Sequence, residues 1–270
     1  MAVQLTVLGS GDAFNSAGRG NACYLLQEDS AAGAVCVDFG PTALMQLRTH
    51  SAAVPNDIDA IFLTHLHGDH FGGLHLFLVD ADFPSRRTKP LVICGPRGTE
   101  ETVSRWYELA FGAVPAARSY DIRYVEMEPG ETREILGRKV TAFAARHMGD
   151  GDTPLALRLD MVGGVCIGIS GDTVWTDSLL DAAQGTDIFI CDCTGLAGEN
   201  PQHLTWEVLR TRRSSLGTRL LLLSHLGSDV RQAVGMLDEE QGVLAADDGM
   251  RMLINAPQPD RPWISKRIKK

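Results

Sequence analysis

The sequence predicts an α/β fold built on mixed β-sheets. Short apolar, β-branched runs that end in Gly, Asp or Pro alternate with helical patterns, as expected of interleaved strands and helices. Residues 120–145 instead contain two turn signals, Pro129-Gly130 and Leu136-Gly137, between strand-like runs, which adds antiparallel strands to the sheet. The chain of 270 residues can form one such domain with a sizeable core.

These patterns place the individual elements along the chain. Buried strands are expected at residues 3–8, 34–39, 60–63, 91–94, 165–169, 188–191 and 220–223. Helices are expected at residues 99–111, 175–183 and 205–213. Thr99 is the predicted N-cap of the first helix. We find no linker before a Pro-rich and then basic stretch, so we predict one domain over residues 1–255 and a C-terminal tail over 256–270.

Composition and charge exclude several classes of protein. Hydrophobic residues make up 44% and charged residues 22%, which is typical of globular proteins and not of disordered ones. Thirty-four acidic residues against 25 basic ones give a net charge of −9, so a broad nucleic-acid-binding surface is not predicted. Because the sequence has no membrane-length apolar run and no signal-like start, we expect a cytoplasmic protein without membrane contacts.

The strongest chemical signal is the sequence HLHGDH at residues 65–70. It follows a predicted buried strand and places four metal-ligand side chains within six residues. In extended backbone, His65 and His67 point to the same side and can hold one ion, and a bend at the following glycine can turn Asp69 and His70 toward a second. A polar loop whose histidines merely coexist is disfavoured, because three of the eight histidines share this loop. The spacing therefore predicts two adjacent metal sites.

Further ligands are expected at the ends of other predicted strands. His147, Asp172 and His225 each follow an apolar run, at the strand ends where α/β active sites gather. Each residue taken alone is as compatible with a structural role as with metal binding. Together with the loop at 65–70, they supply suitable donors for a pair of ions.

The order and spacing of these residues resemble the metallo-β-lactamase superfamily over nearly the whole chain. The resemblance extends over Leu8-Gly9-Ser10-Gly11, Arg19-Gly20-Asn21, Val37-Asp38-Phe39-Gly40, residues 65–70, His147, Gly171-Asp172 and Ser224-His225. It implies a four-layer αββα sandwich with two mixed sheets and a dinuclear metal site at one edge.

The resemblance also implies the role of each ligand. It assigns three residues to each ion and one carboxylate to bridge them: His65, His67 and His147 to the first ion, Asp69, His70 and His225 to the second, and Asp172 to both. Asp38 resembles an acid that supports the ligand loop without binding metal. We expect two divalent ions, with zinc favoured, although these donors also suit manganese and iron.

Within the superfamily, the sequence is most similar to the ribonuclease Z and phosphodiesterase branch. That branch has an acidic residue followed by a His-x-Thr element, and here Asp192 follows the strand run and His203-Leu204-Thr205 opens a helix. By resemblance His203 is the general acid, and Asp192 orients it and keeps it protonated, so we count both with Asp69 as catalytic. A helix-entry role for His203 stays open, because Asp192 replaces the usual Glu and only eleven positions separate the two residues.

The resemblance implies hydrolysis of a phosphodiester by a metal-bound hydroxide, with His203 protonating the leaving oxygen. Two divalent ions bring about four positive charges, against about three negative ones from Asp69, Asp172 and a bridging hydroxide, so the centre attracts anions. Bacterial ribonuclease Z carries a long tRNA-gripping arm between the third His and the bridging Asp, but only 24 residues separate His147 from Asp172 here. We therefore expect a small anionic substrate, such as a cyclic nucleotide or a short metabolite ester, rather than long structured RNA.

Two other functions stay open on the sequence alone. A thioesterase or lactonase of the same superfamily has the same ligands but acts on a carbonyl centre and has no need of His203. A noncatalytic metal-binding scaffold is less favoured, because no ligand is missing. A homodimer is compatible with the resemblance, since dimers are common in the superfamily.

Overall fold

Two mixed β-sheets with helices on their outer faces make up the computed structural model, which describes residues 2–28, 33–113, 118–147, 149, 153–236, 242–256 and 263–268. The strands in chain order are β1 (Ala2–Gly9), β2 (Cys23–Glu28), β3 (Ala34–Val37), β4 (Ile58–Phe62), β5 (Leu91–Pro96), β6 (Ile122–Met127), β7 (Thr132–Ile135), β8 (Arg138–Ala144), β9 (Leu155–Asp160), β10 (Cys166–Ile169), β11 (Ile188–Asp192), β12 (Leu220–Ser224), β13 (Val243–Ala245), β14 (Arg251–Asn255) and β15 (Ile264–Ile268). The α-helices are α1 (Ala43–His50), α2 (Gly68–Phe71), α3 (Leu74–Asp82), α4 (Thr99–Phe111), α5 (Ser178–Ala183), α6 (Trp206–Arg212) and α7 (Ser228–Ala233). Short 3₁₀ turns lie at Ser16–Gly18, Pro55–Asp57, Arg213–Ser215 and Val234–Met236.

Each sheet is half antiparallel and half parallel. The first sheet has the order β15-β14-β1-β2-β3-β4-β5-β6, antiparallel as far as β3 and parallel from there to β6. The second has the order β13-β12-β11-β10-β9-β8-β7, parallel from β13 to β10 and antiparallel beyond. This confirms the predicted mixed sheets, and the hairpin between β7 and β8 confirms the turn predicted at residues 136–137.

Three buried apolar clusters hold the layers together. The largest combines residues of both sheets, such as Phe62 and Ile190, and fills the space between them. A second packs α1, α3 and α4 on the first sheet around residues such as Phe77, and a third packs α5, α6 and α7 on the second sheet around residues such as Leu209. The predicted four-layer αββα sandwich is therefore confirmed.

Several boundaries differ from those predicted. The helix predicted at 99–111 coincides with α4, but its N-cap is Gly98 rather than Thr99. The cap residue has a φ of +85°, a conformation that glycine adopts without strain, and the Thr99 hydroxyl donates to the Pro96 carbonyl oxygen instead. The helix predicted at 175–183 begins only at Ser178. The strand β2 was not predicted, although it lies between β1 and β3.

The described part of the predicted C-terminal tail takes part in the first sheet. Strand β15 pairs antiparallel with β14, and Trp263 packs against the core between the sheets. Residues 257–262 and 269–270 of that tail lie outside the described residues. None of the helices described has the length and apolar character needed to cross a membrane.

A buried ion pair joins the two sheets. Arg138 at the start of β8 and Glu28 at the end of β2 lie 2.5 Å apart, with side chains 0% and 3% exposed. We expect Arg138→Met to lower the free energy of unfolding in urea by about 3–5 kcal/mol, because it leaves a buried carboxylate without its partner. The double variant Arg138→Met/Glu28→Leu should lose less, because it leaves no buried charge.

The matched control is the exposed pair of Arg133 and Glu131, whose side chains are 49% and 32% exposed. Arg133→Met should change stability by less than about 1 kcal/mol. A double variant at Arg138 and Glu28 as unstable as the single one would contradict the assignment of the loss to an unpaired charge.

Candidate metal centre

The predicted site residues meet where strands of both sheets end. The loop at 65–70 follows β4, His147 follows β8, Asp172 follows β10, Asp192 ends β11 and His225 follows β12. Because β10, β11 and β12 are parallel, their carboxyl ends lie at the same edge, which brings these distant parts of the sequence together.

The loop at 65–70 has the bend that its glycine predicts. The backbone of His67 is extended and α2 begins at the next residue, so the chain changes direction between the two histidines and Asp69. The loop also rests against the turn after β3, where the Phe39 backbone N–H donates to the His70 carbonyl oxygen at 2.6 Å. A Cβ atom at Gly40 would lie 1.9 Å from the Asp69 carbonyl oxygen, so only glycine allows this close contact.

Donor atoms of the predicted residues form three groups that could hold a metal ion, and the second and third groups share Asp172 and His225. Within each group the atoms lie within 4.8 Å of one another: His65, His67 and His147; Asp69, His70, Asp172 and His225; and Asp172, Asp192, His203 and His225. The structure therefore brings together every side chain that the sequence proposes as a ligand or general acid.

The first group is a cluster of three imidazoles. The Nε2 atom of His147 lies 3.0 Å from Nδ1 of His67, and the His65 ring makes edge-on contacts with both rings. The Nε2 atom of His65 is buried and makes no hydrogen bond. Buried ring nitrogens that face one another without a proton donor suit a cation that accepts their lone pairs.

The second group combines imidazoles with carboxylates. The Nε2 atom of His70 is buried, makes no hydrogen bond of acceptable geometry, and lies 3.2 Å from Oδ2 of Asp69 and 3.3 Å from Oδ2 of Asp172. The Nε2 atom of His225 lies 3.3 Å from each of the same two oxygens. Asp172 also lies 3.9 Å from His65, so it reaches the first group as well. Both groups therefore combine donors that could bind a metal ion.

The ionisable groups of the centre shift one another's pKa values. Burial alone lowers the pKa of His225, but the charge of Asp172 and the hydrogen bond to Asp69 outweigh it and raise that pKa to about 9. Burial raises the pKa of Asp172, and the charges of His225 and His70 reverse this and hold it well below the usual range. Burial, followed by the charge of His70, lowers the pKa of His65. The carboxylates thus stay ionised, which favours cations at the centre.

Hydrogen bonds from outside the donor groups fix the rings. Asp38 has the position expected of the supporting acid, with Oδ2 2.8 Å from Nδ1 of His70 and Oδ1 accepting from the Thr64 N–H at 2.8 Å. The Thr64 hydroxyl lies 3.1 Å from Nδ1 of His65. Since each ring is held at Nδ1, its Nε2 atom is directed toward the centre.

His203 is held by Asp192. Its Nδ1 atom lies 3.0 Å from Oδ2 of Asp192, whose side chain is fully buried and also accepts from the N–H groups of Thr173 and Leu204. Burial lowers the pKa of His203, but the hydrogen bond and the charge of Asp192 outweigh it and raise the pKa. The ring also stacks on His225, with centroids 5.2 Å apart.

Two supporting contacts were not predicted from the sequence. The Thr194 hydroxyl lies 2.8 Å from Nδ1 of His225 and donates to Oδ1 of Asp192 at 2.8 Å. The Nδ1 atom of His147 donates to the carbonyl oxygen of Gln202 at 2.8 Å. The position of Thr194 at a strand end, directly after Asp192-Cys193, could have indicated its supporting role. The carbonyl oxygen of Gln202 could not be identified in this way, because every residue has a backbone carbonyl.

Solved structures that superimpose on this protein share its fold. The protein superimposes on YhfI from Bacillus subtilis, a metallo-β-lactamase fold protein, with a TM-score of 0.73 and 20% identity over 94% of this chain and 100% of that chain. It superimposes on the short form of human tRNase Z (ELAC1) with a TM-score of 0.72 and 23% identity over 94% and 100% of the two chains. The predicted metallo-β-lactamase fold is therefore confirmed.

Comparison of sequences identifies the family. Ribonuclease BN from Escherichia coli is 28% identical in an alignment that covers 75% of this chain and 81% of the relative. The sequence model of the family described as "Anti-Pycsar protein Apyc1" matches residues 3–245, most of the chain. The protein therefore belongs to the Apyc1 family and has the metallo-β-lactamase fold.

Proposed function

We propose that the protein is a metal-dependent phosphodiesterase that acts on a small anionic phosphodiester. The observation that carries this proposal is the His203–Asp192 pair, which lies beside two groups of metal donors and offers a proton to a leaving oxygen. The names of two similar proteins, a ribonuclease and a tRNase, describe cleavage of RNA, whose backbone is a phosphodiester.

The donor groups would hold two divalent ions, for which zinc is the first choice. In this proposal His65, His67 and His147 hold one ion, Asp69, His70 and His225 hold the other, and Asp172 lies between them. Bound ions of this kind activate water as a nucleophile and stabilise negative charge on phosphoryl oxygens.

The role of the protein's own residues follows from their contacts. His203 is anchored through Nδ1 and has a raised pKa, so its protonated ring can present Nε2–H to the leaving oxygen. Asp192 accepts from His203 and from backbone N–H groups, so it keeps the ring in one orientation. Asp38, Thr194 and the Gln202 carbonyl orient the metal donors.

A small substrate is favoured by the short connection between His147 and Asp172. It holds 24 residues, and within its described part the antiparallel strands β9 and β10 account for ten of them. A long arm that grips structured RNA therefore has no place at this position. The net charge of −9 adds no general attraction for a polyanion.

Metal removal tests the centre itself. We expect about two divalent ions per chain in the purified protein, measured by elemental analysis together with turnover of bis(p-nitrophenyl) phosphate. Chelation should abolish turnover, and added zinc or manganese should restore it, because bound ions would activate the water that attacks phosphorus. Phosphodiester cleavage that survives complete chelation would contradict the proposal. Stoichiometric metal without turnover of bis(p-nitrophenyl) phosphate or of a carbonyl ester would favour the noncatalytic metal-binding scaffold instead.

Replacing His203 tests the proton donor. We expect His203→Ala to lower kcat for bis(p-nitrophenyl) phosphate by roughly 10²- to 10⁴-fold, the usual contribution of general acid catalysis. His50→Ala is the matched control, because His50 lies at the end of α1 outside the three donor groups, and it should retain wild-type turnover.

Parallel assays with a chromogenic lactone and a thioester distinguish a phosphodiesterase from the alternative, a thioesterase or lactonase. If the wild type and His203→Ala hydrolyse these esters equally well and neither cleaves a phosphodiester, the protein is a thioesterase or lactonase. The assignment of His203 as general acid would then be wrong.

A further inference from the structure

Asp248 lies outside the metal-donor groups, in the turn that connects the two sheets. This turn follows β13 of the second sheet and precedes β14 of the first. Its backbone is fixed on both sides. The Ala246 N–H donates to the Leu223 carbonyl oxygen in β12, and the Gly249 N–H donates to the Val7 carbonyl oxygen in β1, each at 2.8 Å. The side chain of Asp248 therefore projects from a rigid base.

The carboxylate of Asp248 accepts four hydrogen bonds from two other parts of the chain. Its Oδ1 atom accepts from the N–H and the hydroxyl of Ser10, at 2.9 and 2.8 Å. Its Oδ2 atom accepts from the Gly20 N–H and the side-chain NH₂ of Gln46, both at 2.8 Å. Ser10 and Gly20 are the two ends of the loop at 10–20, and Gln46 lies on α1. One side chain therefore closes this loop and joins it to a helix of the outer layer.

Ser10 connects Asp248 to the backbone beside His225. The Leu226 N–H donates to the Ser10 carbonyl oxygen at 3.0 Å. The guanidinium of Arg231 on α7 donates to the Ser10 hydroxyl at 2.8 Å, so this hydroxyl both donates and accepts. His225 has a φ of 54°, which residues with a Cβ atom rarely adopt, so its conformation depends on support from the neighbouring backbone.

The other end of the loop lies next to the segment that carries Asp69. Gly20 precedes Asn21, and a Cβ atom at Gly40 would lie 2.8 Å from Cβ of Asn21 and 1.9 Å from the Asp69 carbonyl oxygen. Asn21 and Asp69 therefore both pack closely against Gly40. The two ends of the loop thus reach the segments of Asp69 and His225 through one intervening residue each.

The first donor group is held by different contacts. The Thr64 hydroxyl lies 3.1 Å from Nδ1 of His65, and the Gln202 carbonyl oxygen accepts from His147 at 2.8 Å. Neither support involves Asp248. Loss of the four hydrogen bonds to its carboxylate should therefore disturb one group of metal donors and leave the other in place.

We propose that Asp248 is a positioning residue that holds the donors of the second ion in place through the loop at 10–20. The second ion is the one assigned to Asp69, His70 and His225. This inference rests on the proposed function, because it takes the two donor groups as two metal sites. It makes the affinity of one site depend on a carboxylate that touches neither the ion nor its ligands.

The test measures the affinity of each site alone. His147→Ala removes a donor of the first group only, and His225→Ala removes a donor of the second and leaves the first complete. In each background, with and without Asp248→Asn, the zinc dissociation constant of the metal-free protein is measured by competition with a chromogenic chelator.

We expect Asp248→Asn to weaken zinc binding by roughly 10- to 100-fold in the His147→Ala background, the range for loss of a residue that supports a metal ligand. The amide has one acceptor oxygen and one NH₂ group, and each carboxylate oxygen of Asp248 faces two donors. Whichever way the amide is turned, two hydrogen bonds are therefore lost. In the His225→Ala background, zinc binding should be unchanged.

Asp247→Asn is the matched control, because it removes the same charge from the same turn. Asp247 pairs with Arg19 of the loop at 2.9 Å, but its side chain is 43% exposed, and exposed pairs contribute little. Zinc binding should stay unchanged in both backgrounds. Ser10→Ala removes one of the four hydrogen bonds and should weaken the second site alone, by less than Asp248→Asn. It decides the question if circular dichroism melts show that Asp248→Asn does not fold.

The outcomes distinguish this proposal from the proposed function. Equal weakening in both backgrounds, or no weakening in either, would overturn the role of Asp248 while phosphodiester turnover by the wild type stands. Selective weakening of the second site, in a protein whose wild type cleaves no phosphodiester, would support the role of Asp248 and overturn the proposed function. A wild type that binds fewer than two ions would overturn the role of Asp248 together with the two-ion assignment.

Discussion

The candidate metal centre depends on holding several closely spaced imidazoles and carboxylates in fixed positions. The rings of His65 and His70 lie 4.1 Å apart, yet burial lowers the pKa of the first while neighbouring carboxylates raise that of the second. Groups that interact this strongly would rearrange or exclude one another if they were free to move. Each ring must therefore be anchored at the nitrogen that faces away from the centre, and Asp38, Thr194 and the Gln202 carbonyl supply those anchors.

One anchor and one metal donor have an unusual backbone conformation. Asp38 and His225 both have positive φ angles, 55° and 54°, in the left-handed region that residues with a Cβ atom rarely occupy. Both follow the end of a buried strand, and the Asp38 N–H donates to the Phe62 carbonyl oxygen at 2.8 Å. The strain is local and is offset by the rigid sheets on either side, an arrangement common at functional sites.

Much of the fold and of the site could be predicted because the signals were local. The sequence at 65–70 carries its ligands within six residues, and the alternation of buried runs with helices indicates the class of fold. The pairing of distant ligands depends on sheet topology, so His147, Asp172 and His225 were ambiguous until a family resemblance ordered them. The predicted cap at Thr99 was wrong because the decisive property is the φ angle of Gly98. Contacts to backbone atoms, such as that of His147, leave no pattern in a sequence.

One short turn supports both His147, a candidate metal donor, and His203. The side chain of Asn200 accepts from the backbone N–H groups of Gln202 and His203, and the Gln202 carbonyl oxygen accepts from the ring of His147. Because small displacements of a reacting group cost much of its catalytic effect, this shared support ties the position of His147 to that of His203.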